Sequence, residues 1–487
     1  MSVGTGRNEV FVFCQLRGWG LIGEDRHWVI FLGGRDGSIS LTQKRFPQWL
    51  TALGALRKDA YEPNKLILFQ CITPPDEDSI LANPQNTTAL VNLRQKMAQA
   101  TGTCAEDWFP VYKARYGMHA VFSALASLAS TVEGQRQPGV LTQLYTCCTA
   151  VDPILTAGLR GVYADVNPDS LTAQVQTGGE TEQSQLVGLV MQNTFGFISD
   201  ADTLAARDFA TARKLLYVED SAHCVGRMAR DSQGEPLADV SVHSFGVEKI
   251  LTATRFGGLI WVNPRLETTD SPLYAAIKSA LENVGRLPWL QDLSARLYLN
   301  QIRVFSRLPQ ALASALKRVL RRMRLFEPAI APAERQGALE YPNYGMSPFI
   351  ANKAGEALDG LELNQEQRRQ AVAIYQDRLS GLEYLQIPAQ IACAAPQPLL
   401  IFPILLRDTQ AVNEVHAKLR ESHVYSRRWY NSILFPGVDS LEPYGVGSLE
   451  SYPHTVSLTK RSLGLPTDVS KDKAEQICEL VQKLATA

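Results

Sequence analysis

Leu215-Leu216-Tyr217-Val218-Glu219-Asp220-Ser221-Ala222-His223, with Ser244-Phe245-Gly246-Val247-Glu248-Lys249 downstream, is the stretch whose reading decides the fold. The four apolar residues Leu215 to Val218 read as a short buried strand that delivers the Asp220 carboxylate at its C-terminal end. Ser244 lies five residues before Lys249, and a Gly257-Gly258 pair follows. A desolvated lysine near positive charge has its pKa lowered. Such an amine is free to attack an aldehyde and to shuttle a proton.

Outward from this stretch, the chain from about residue 90 alternates helices with short buried strands, the mark of an α/β domain with a mostly parallel sheet. The helix Ala120 to Leu128 follows Tyr116-Gly117-Met118-His119, and strands are expected at Val140 to Leu144, Gly161 to Asp165 and Leu186 to Met191. Ligands of open α/β sheets collect at strand C-termini. Thr146-Cys147-Cys148-Thr149, Gln192-Asn193-Thr194-Phe195-Gly196 and Asp220 should therefore converge on one crevice. Four segments are expected: an appended β-rich N-terminal segment (1–78), a large domain (79–264), a helical insert (265–335) and a small C-terminal α/β domain (336–487). In the N-terminal segment Val10 to Phe13, Trp28 to Leu32 and Leu66 to Phe69 read as strands, and Pro47 to Leu56 as a helix. In the C-terminal domain a helix is expected over Gln365 to Leu382, a strand over Leu399 to Leu406, and a last helix from Lys471, entered by Ser470.

Composition excludes several classes. The 487 residues carry 48 basic and 49 acidic side chains, so no global field favours nucleic acid. With 45% apolar and 20% charged residues the chain is ordinary for a globular protein. No apolar run reaches membrane-spanning length and no secretory leader is evident, so a cytoplasmic protein is expected. The eight cysteines show no C-x-x-C spacing, which favours reduced thiols over a metal site.

The order of Asp220, Ser244, Lys249 and Gly257-Gly258 resembles the DegT/StrS family of sugar aminotransferases, in which an acid in a D-x-x-Q or D-x-x-H motif precedes an S-F-x-x-x-K motif. Gln192 to Gly196, Tyr341-Pro342-Asn343-Tyr344-Gly345-Met346-Ser347 and the closing Leu463-Gly464-Leu465-Pro466 are also similar to family segments. The resemblance covers roughly residues 90–264 and 336–487. It implies the type I aminotransferase fold, a homodimer, and pyridoxal 5'-phosphate as cofactor. Lys249 would hold that cofactor covalently, Asp220 would keep its pyridine nitrogen protonated, His223 would lie near the ring, and Ser244 would hold the phosphate. Gly117 and Met118 would stand in the phosphate-binding turn, Cys148 or Cys147 on the ring-stacking loop, Asn193 on the next loop, and Asn343 toward the neighbouring subunit's phosphate. The reaction implied moves an amino group from an amino acid, glutamate in the family, to the ketone of a nucleotide-linked sugar.

The chain departs from the family at Met118, where a threonine hydroxyl is usual, at Gly345, where an arginine is usual, and in the extra segments 1–78 and 265–335. Two other readings keep the same residues: a pyridoxal-dependent lyase or dehydratase, and a regulatory relative with a vestigial pocket. Individual residues have plainer readings too. Asp220 could cap a helix, either cysteine could be a core thiol, and Asn343 could serve a turn. Residues 312–326 place Leu312, Leu316, Val319, Leu320 and Met323 at helical spacing among Lys317, Arg318, Arg321, Arg322 and Arg324. This reads as a packed helix with a solvated basic face, or as an anion-facing helix that meets an acidic membrane or a pyrophosphate, with Trp289 and Leu290 as an anchor.

Overall fold

In the computed structural model, strand backbone is described at 5–6, 9–12, 19–24, 27–33 and 39–42. Beyond these the structure describes residues 87–485 apart from 130–136, 176–184, 247, 252–255 and 342. The chain divides into two compact units, Met1–Pro75 and Asp76–Ala487. In the first, β1 (Thr5–Gly6), β2 (Glu9–Val12), β3 (Trp19–Glu24), β4 (His27–Gly33) and β5 (Ile39–Thr42) form an antiparallel meander. The strands expected near Val10 and Trp28 fall on β2 and β4. The strand at Leu66 and the helix at Pro47 lie outside the described residues.

The second unit is built on a seven-stranded sheet of order β6-β12-β11-β10-β9-β7-β8. Its strands are β6 (Trp108–Val111), β7 (Gly139–Gln143), β8 (Arg160–Ala164), β9 (Leu186–Gln192), β10 (Leu216–Asp220), β11 (Val240–Ser244) and β12 (Gly258–Val262). Strand β12 runs antiparallel to both β6 and β11, and the remaining strand pairs of the sheet are parallel. Every residue of β6, β7, β10 and β12 is buried. That pattern belongs to a sheet covered on both faces, and it is why these strands read as continuous apolar runs rather than alternating ones.

The covering helices include α1 (Thr88–Thr101), α2 (Ala114–Leu128), α3 (Cys148–Thr156) and α4 (Asp200–Arg213). The Ser199 hydroxyl caps α4 by accepting from the Asp202 amide at 3.1 Å. The expected insert is helical, with α5 (Ser271–Glu282), α6 (Trp289–Phe305) and α7 (Gln310–Arg322). Helix α5 belongs to the large-domain core, because Leu273, Ile277 and Leu281 share one cluster with Val121 and Leu125 of α2. Helix α7 packs less of itself than its apolar spacing suggests. Ala313, Leu316 and Leu320 meet the core, while Leu312, Val319 and Met323 are about half exposed.

The C-terminal part carries α8 (Pro348–Leu358), α9 (Leu361–Leu379), α10 (Thr409–Glu421), α11 (Pro453–Arg461) and α12 (Lys471–Ala485). They surround an antiparallel sheet of β13 (Leu385–Gln386), β14 (Ile401–Leu406) and β15 (Ser462–Pro466). Ser470 caps α12 through the Lys473 amide at 3.3 Å. Asp165 at the end of β8 accepts from the His454 and Thr455 amides at 2.8 Å each, which ties α11 to the large sheet. No described helix is long and apolar enough to cross a membrane.

Candidate active site

The parallel strands end on one side of the sheet, and a cavity lies there. Asp220 closes β10, hydrogen-bonded in register between Gln192 of β9 and Val242 of β11. Ser244 closes β11, and a turn in which the Lys249 amide donates to the Gly246 carbonyl (3.0 Å) brings Lys249 back over the strand ends. Asp220, His223, Ser244 and Lys249 all line this cavity. Burial raises the Asp220 pKa, opposed by Lys249 and by the Ala222 amide. Burial likewise lowers the Lys249 pKa, with Asp220 the main opposing charge. Lys249 is thereby moved toward the neutral form in which an amine reacts, and a cation set beside Asp220 would favour the charged carboxylate that burial disfavours.

His223 accepts from the Phe195 amide through Nδ1 at 3.1 Å, which leaves its proton to Nε2. Its ring stacks at 5.9 Å on Trp429 and 6.2 Å on Phe195. Burial pushes its pKa well below the usual range, so the imidazole is neutral. Trp429, Tyr430 and Phe435 close the cavity from the C-terminal part, and no motif in the sequence announces them. Backbone bonds from Phe435 to Thr146 and from Cys148 to Phe435 (2.8 and 3.0 Å) dock this aromatic segment on the loop after β7.

Helix α2 starts three residues earlier than the expected phosphate turn. Its first residue is Ala114, so Gly117 is inside the helix and its amide already donates to Lys113. Gly117 serves packing instead: a Cβ there would lie 2.3 Å from the Ile260 side chain. Met118 does line the cavity, and it is buried. The amides of Ala114 and Arg115 at the helix start have no carbonyl partner within the helix, and both residues border the cavity. The Gly257-Gly258 pair makes this possible. Gly257 adopts φ +113°, and a Cβ on Gly258 would lie 2.5 Å from the Ala114 nitrogen.

Two other expected residues sit outside the cavity. Cys148 is buried with Leu144, Val151 and Tyr444, and it is Cys147 that faces the site. Asn193 is one layer behind, donating to Glu219 at 2.8 Å and Ser221 at 3.0 Å, while its neighbour Gln192 borders the cavity. Asn343, which the resemblance directs to the neighbouring subunit, pairs with His119 Nδ1 at 2.8 Å in its own chain. Alternation along β9 and the helical start explain these shifts by one or a few residues.

The sequence reading also missed two ion pairs at the mouth of α2. Lys113 pairs with Glu327, which also accepts from the Tyr112 hydroxyl. Arg115 pairs with Glu334 at 2.6 Å, and Ala329 and Ile330 between these acids line the cavity. Although burial opposes it, Arg115 and Lys113 hold the Glu334 pKa below the usual carboxylate range. Among the described residues no cluster of three metal-ligating side chains occurs.

An amine, a buried carboxylate at a strand end, a helix start with a hydroxyl beside it, and flat aromatic walls together fit pyridoxal phosphate. They match in turn its aldehyde, its ring nitrogen, its phosphate and its ring.

The profile of the DegT/DnrJ/EryC1/StrS aminotransferase family matches residues 116–482. No curated protein sequence matches significantly. Among solved structures, the aminotransferase TlmJ from Streptoalloteichus hindustanus is similar with a TM-score of 0.58 at 20% identity, over 82% of this chain and 91% of that one. DesI, solved with its TDP-sugar product, gives 0.55 at 21% identity over 82% and 86%. NtdA from Bacillus subtilis, solved with its cofactor PMP, gives 0.56 at 15% identity over 88% and 87%. At these identities the structures speak for a shared aminotransferase fold, and the profile match speaks for descent. The chain belongs to the DegT/DnrJ/EryC1/StrS aminotransferase family and is a pyridoxal-phosphate-dependent transaminase.

Proposed function

We propose that this transaminase moves the amino group of an amino acid, glutamate by family resemblance, onto the ketone of a nucleotide-linked sugar. The observation that carries the reading is the meeting of Lys249 and Asp220 in one buried cavity at the strand ends. DesI, with its TDP-sugar product, supports the class of acceptor.

Bound in the cavity, pyridoxal phosphate supplies an electron sink that stabilises negative charge on a substrate carbon. Lys249 Nζ would hold the aldehyde end and then move the proton that leaves the donor's α-carbon, a task its lowered pKa favours. Asp220 would meet the ring nitrogen and keep it protonated. His223, neutral and wedged between Phe195 and Trp429, holds the cavity wall. The helix start at Ala114 and Arg115 and the Ser244 hydroxyl would hold the phosphate. Trp429, Tyr430 and Phe435 exclude water. In the family such sites form at a dimer interface, and we infer a homodimer here.

The direct test is a paired assay with glutamate and a keto-sugar nucleotide. The proposal expects 2-oxoglutarate and amino sugar in equal amounts from the wild type. In Asp220→Asn it expects retained cofactor with turnover nearly lost, since a neutral amide cannot keep the ring nitrogen protonated. Wild-type rates in that variant would remove Asp220 from the mechanism, and amination of free sugars alone would remove the nucleotide-linked acceptor.

A further inference from the structure

A second cleft lies beside the cavity, bordered by Arg318, Arg321, Arg322 and Arg324 with Glu340, Tyr341 and Tyr344. The sequence builds it by making α7 one-sided. Ala313, Leu316 and Leu320 seat the helix, which leaves the arginines on the opposite surface. The helix then ends in a left-handed turn at Arg324 (φ 57°), whose amide donates to the Arg321 carbonyl at 2.9 Å, so that Arg324 joins the same rim.

Four guanidinium groups face one carboxylate. Among the described residues, the ion pair formed by these arginines is Arg321 with Glu340, at 3.6 Å. A concave surface lined by one sign of charge concentrates the opposite ion. Guanidinium forks match phosphate oxygens two at a time. The two tyrosines add flat rings and hydroxyl donors to the same rim.

One buried residue, Tyr112, joins the lining of the cleft to that of the active-site cavity. The Tyr112 amide donates to the Tyr344 carbonyl at 2.8 Å, and its hydroxyl donates to Glu327, whose other oxygen takes Lys113. Tyr344 borders the cleft and Lys113 borders the cavity.

We infer that this arginine–tyrosine cleft is the subsite for the diphosphate of a nucleotide-linked acceptor, which places the attached sugar toward Lys249. The inference rests on the nucleotide-linked acceptor proposed above and adds where that acceptor is held. An anionic bilayer is the other partner of a basic helix, and it fits less well. A flat surface does not reach into a concavity that holds a carboxylate, and of the exposed apolar residues Leu312, Val319 and Met323 only Val319 borders the cleft.

The test titrates the holoenzyme with UDP and with dTDP, in the wild type and in Arg318→Ala/Arg322→Ala. A charge-assisted hydrogen bond is worth about a decade of affinity, so the double variant should bind at least tenfold more weakly. Its glutamate half-reaction, followed by cofactor absorbance, should not change. Equal affinity in the two proteins, or no nucleoside diphosphate binding by the wild type, overturns the inference. Arginine-dependent binding to phosphatidylglycerol vesicles with no binding of UDP or dTDP overturns it in favour of a membrane. An unchanged KM for a nucleotide-linked acceptor in the variant removes the cleft and leaves the proposed reaction standing. Amination of free keto sugars alone removes the reaction itself.

Discussion

The start of α2 and the end of α7 are both strongly basic, and they differ in what surrounds the charge. Lys113 and Arg115 at α2 are largely out of water, and each meets a carboxylate that is 4% exposed or less. The arginines at the end of α7 are mostly exposed, and among the described residues their one ion pair is Arg321 with Glu340 at 3.6 Å. A cation removed from water must be paired, whereas one left in water need not be. The sequence shows Lys and Arg in both places, so only burial distinguishes a charge spent on architecture from one left for a ligand. Both acids at α2, Glu327 and Glu334, come from the segment just after α7. The end of the insert thus walls the cofactor cavity while its last helix borders a cleft of its own.

The sharpest way to break this comparison is to remove one buried acid. Glu334→Gln strands Arg115, and the expected loss is about 3 kcal/mol in urea unfolding. A change below 1 kcal/mol would mean that Arg115 finds water or another partner. The next effect lies on the phosphate. With Met118 offering no hydroxyl, Ser244→Ala should weaken cofactor binding by about one to two decades, from the roughly 1.5–3 kcal/mol of a charge-assisted bond. An unchanged dissociation constant would place the phosphate away from Ser244.

Acid sharpens the comparison more gently. Burial pulls the His243 pKa from 6.5 to about 3. Below pH 6.5 the unfolded chain then binds a proton that the folded one refuses, so stability falls as pH drops from about 6.5 toward 3. The slope is at most about 1.4 kcal/mol per pH unit. Asp220 and Glu219, raised by burial, act with the opposite sign. The His243 share is therefore read as the difference from His243→Gln, which should flatten the acid limb, and parallel curves would contradict it. The smallest effect belongs to α7. Glu340→Gln should change stability by no more than about 0.5 kcal/mol.

How much of this was legible in the sequence follows from distance along the chain. Asp220, Ser244 and Lys249 were legible through their order and spacing, which resemble the family's, and strand ends and one turn bring them to one cavity. The parallel sheet was readable because strands buried on both faces leave uninterrupted apolar runs. Between Cys147 and Cys148 the sequence left the choice open, and the helix that begins at Cys148 turns that side chain into the core. Gln192 in place of Asn193 is a one-residue shift, because side-chain direction flips at each step of extended backbone. Gly117 misled for another reason. Glycine marks turns in general, yet here it lets α2 press against Ile260, and the glycines that open the helix start are Gly257 and Gly258. Trp429 and Tyr430 reach the cavity, and Glu327 and Glu334 reach the cations that border it, only through long-range packing, and no local pattern in the sequence carries that information.

The central claim is that Lys249 holds the cofactor, and borohydride reduction of the holoenzyme followed by peptide mapping tests it most directly. The account predicts one phosphopyridoxyl group, on the peptide that contains Lys249, and none in a folded Lys249→Ala variant, which should also lack transamination. A reduced cofactor on any other lysine, or full turnover in that variant, would contradict it.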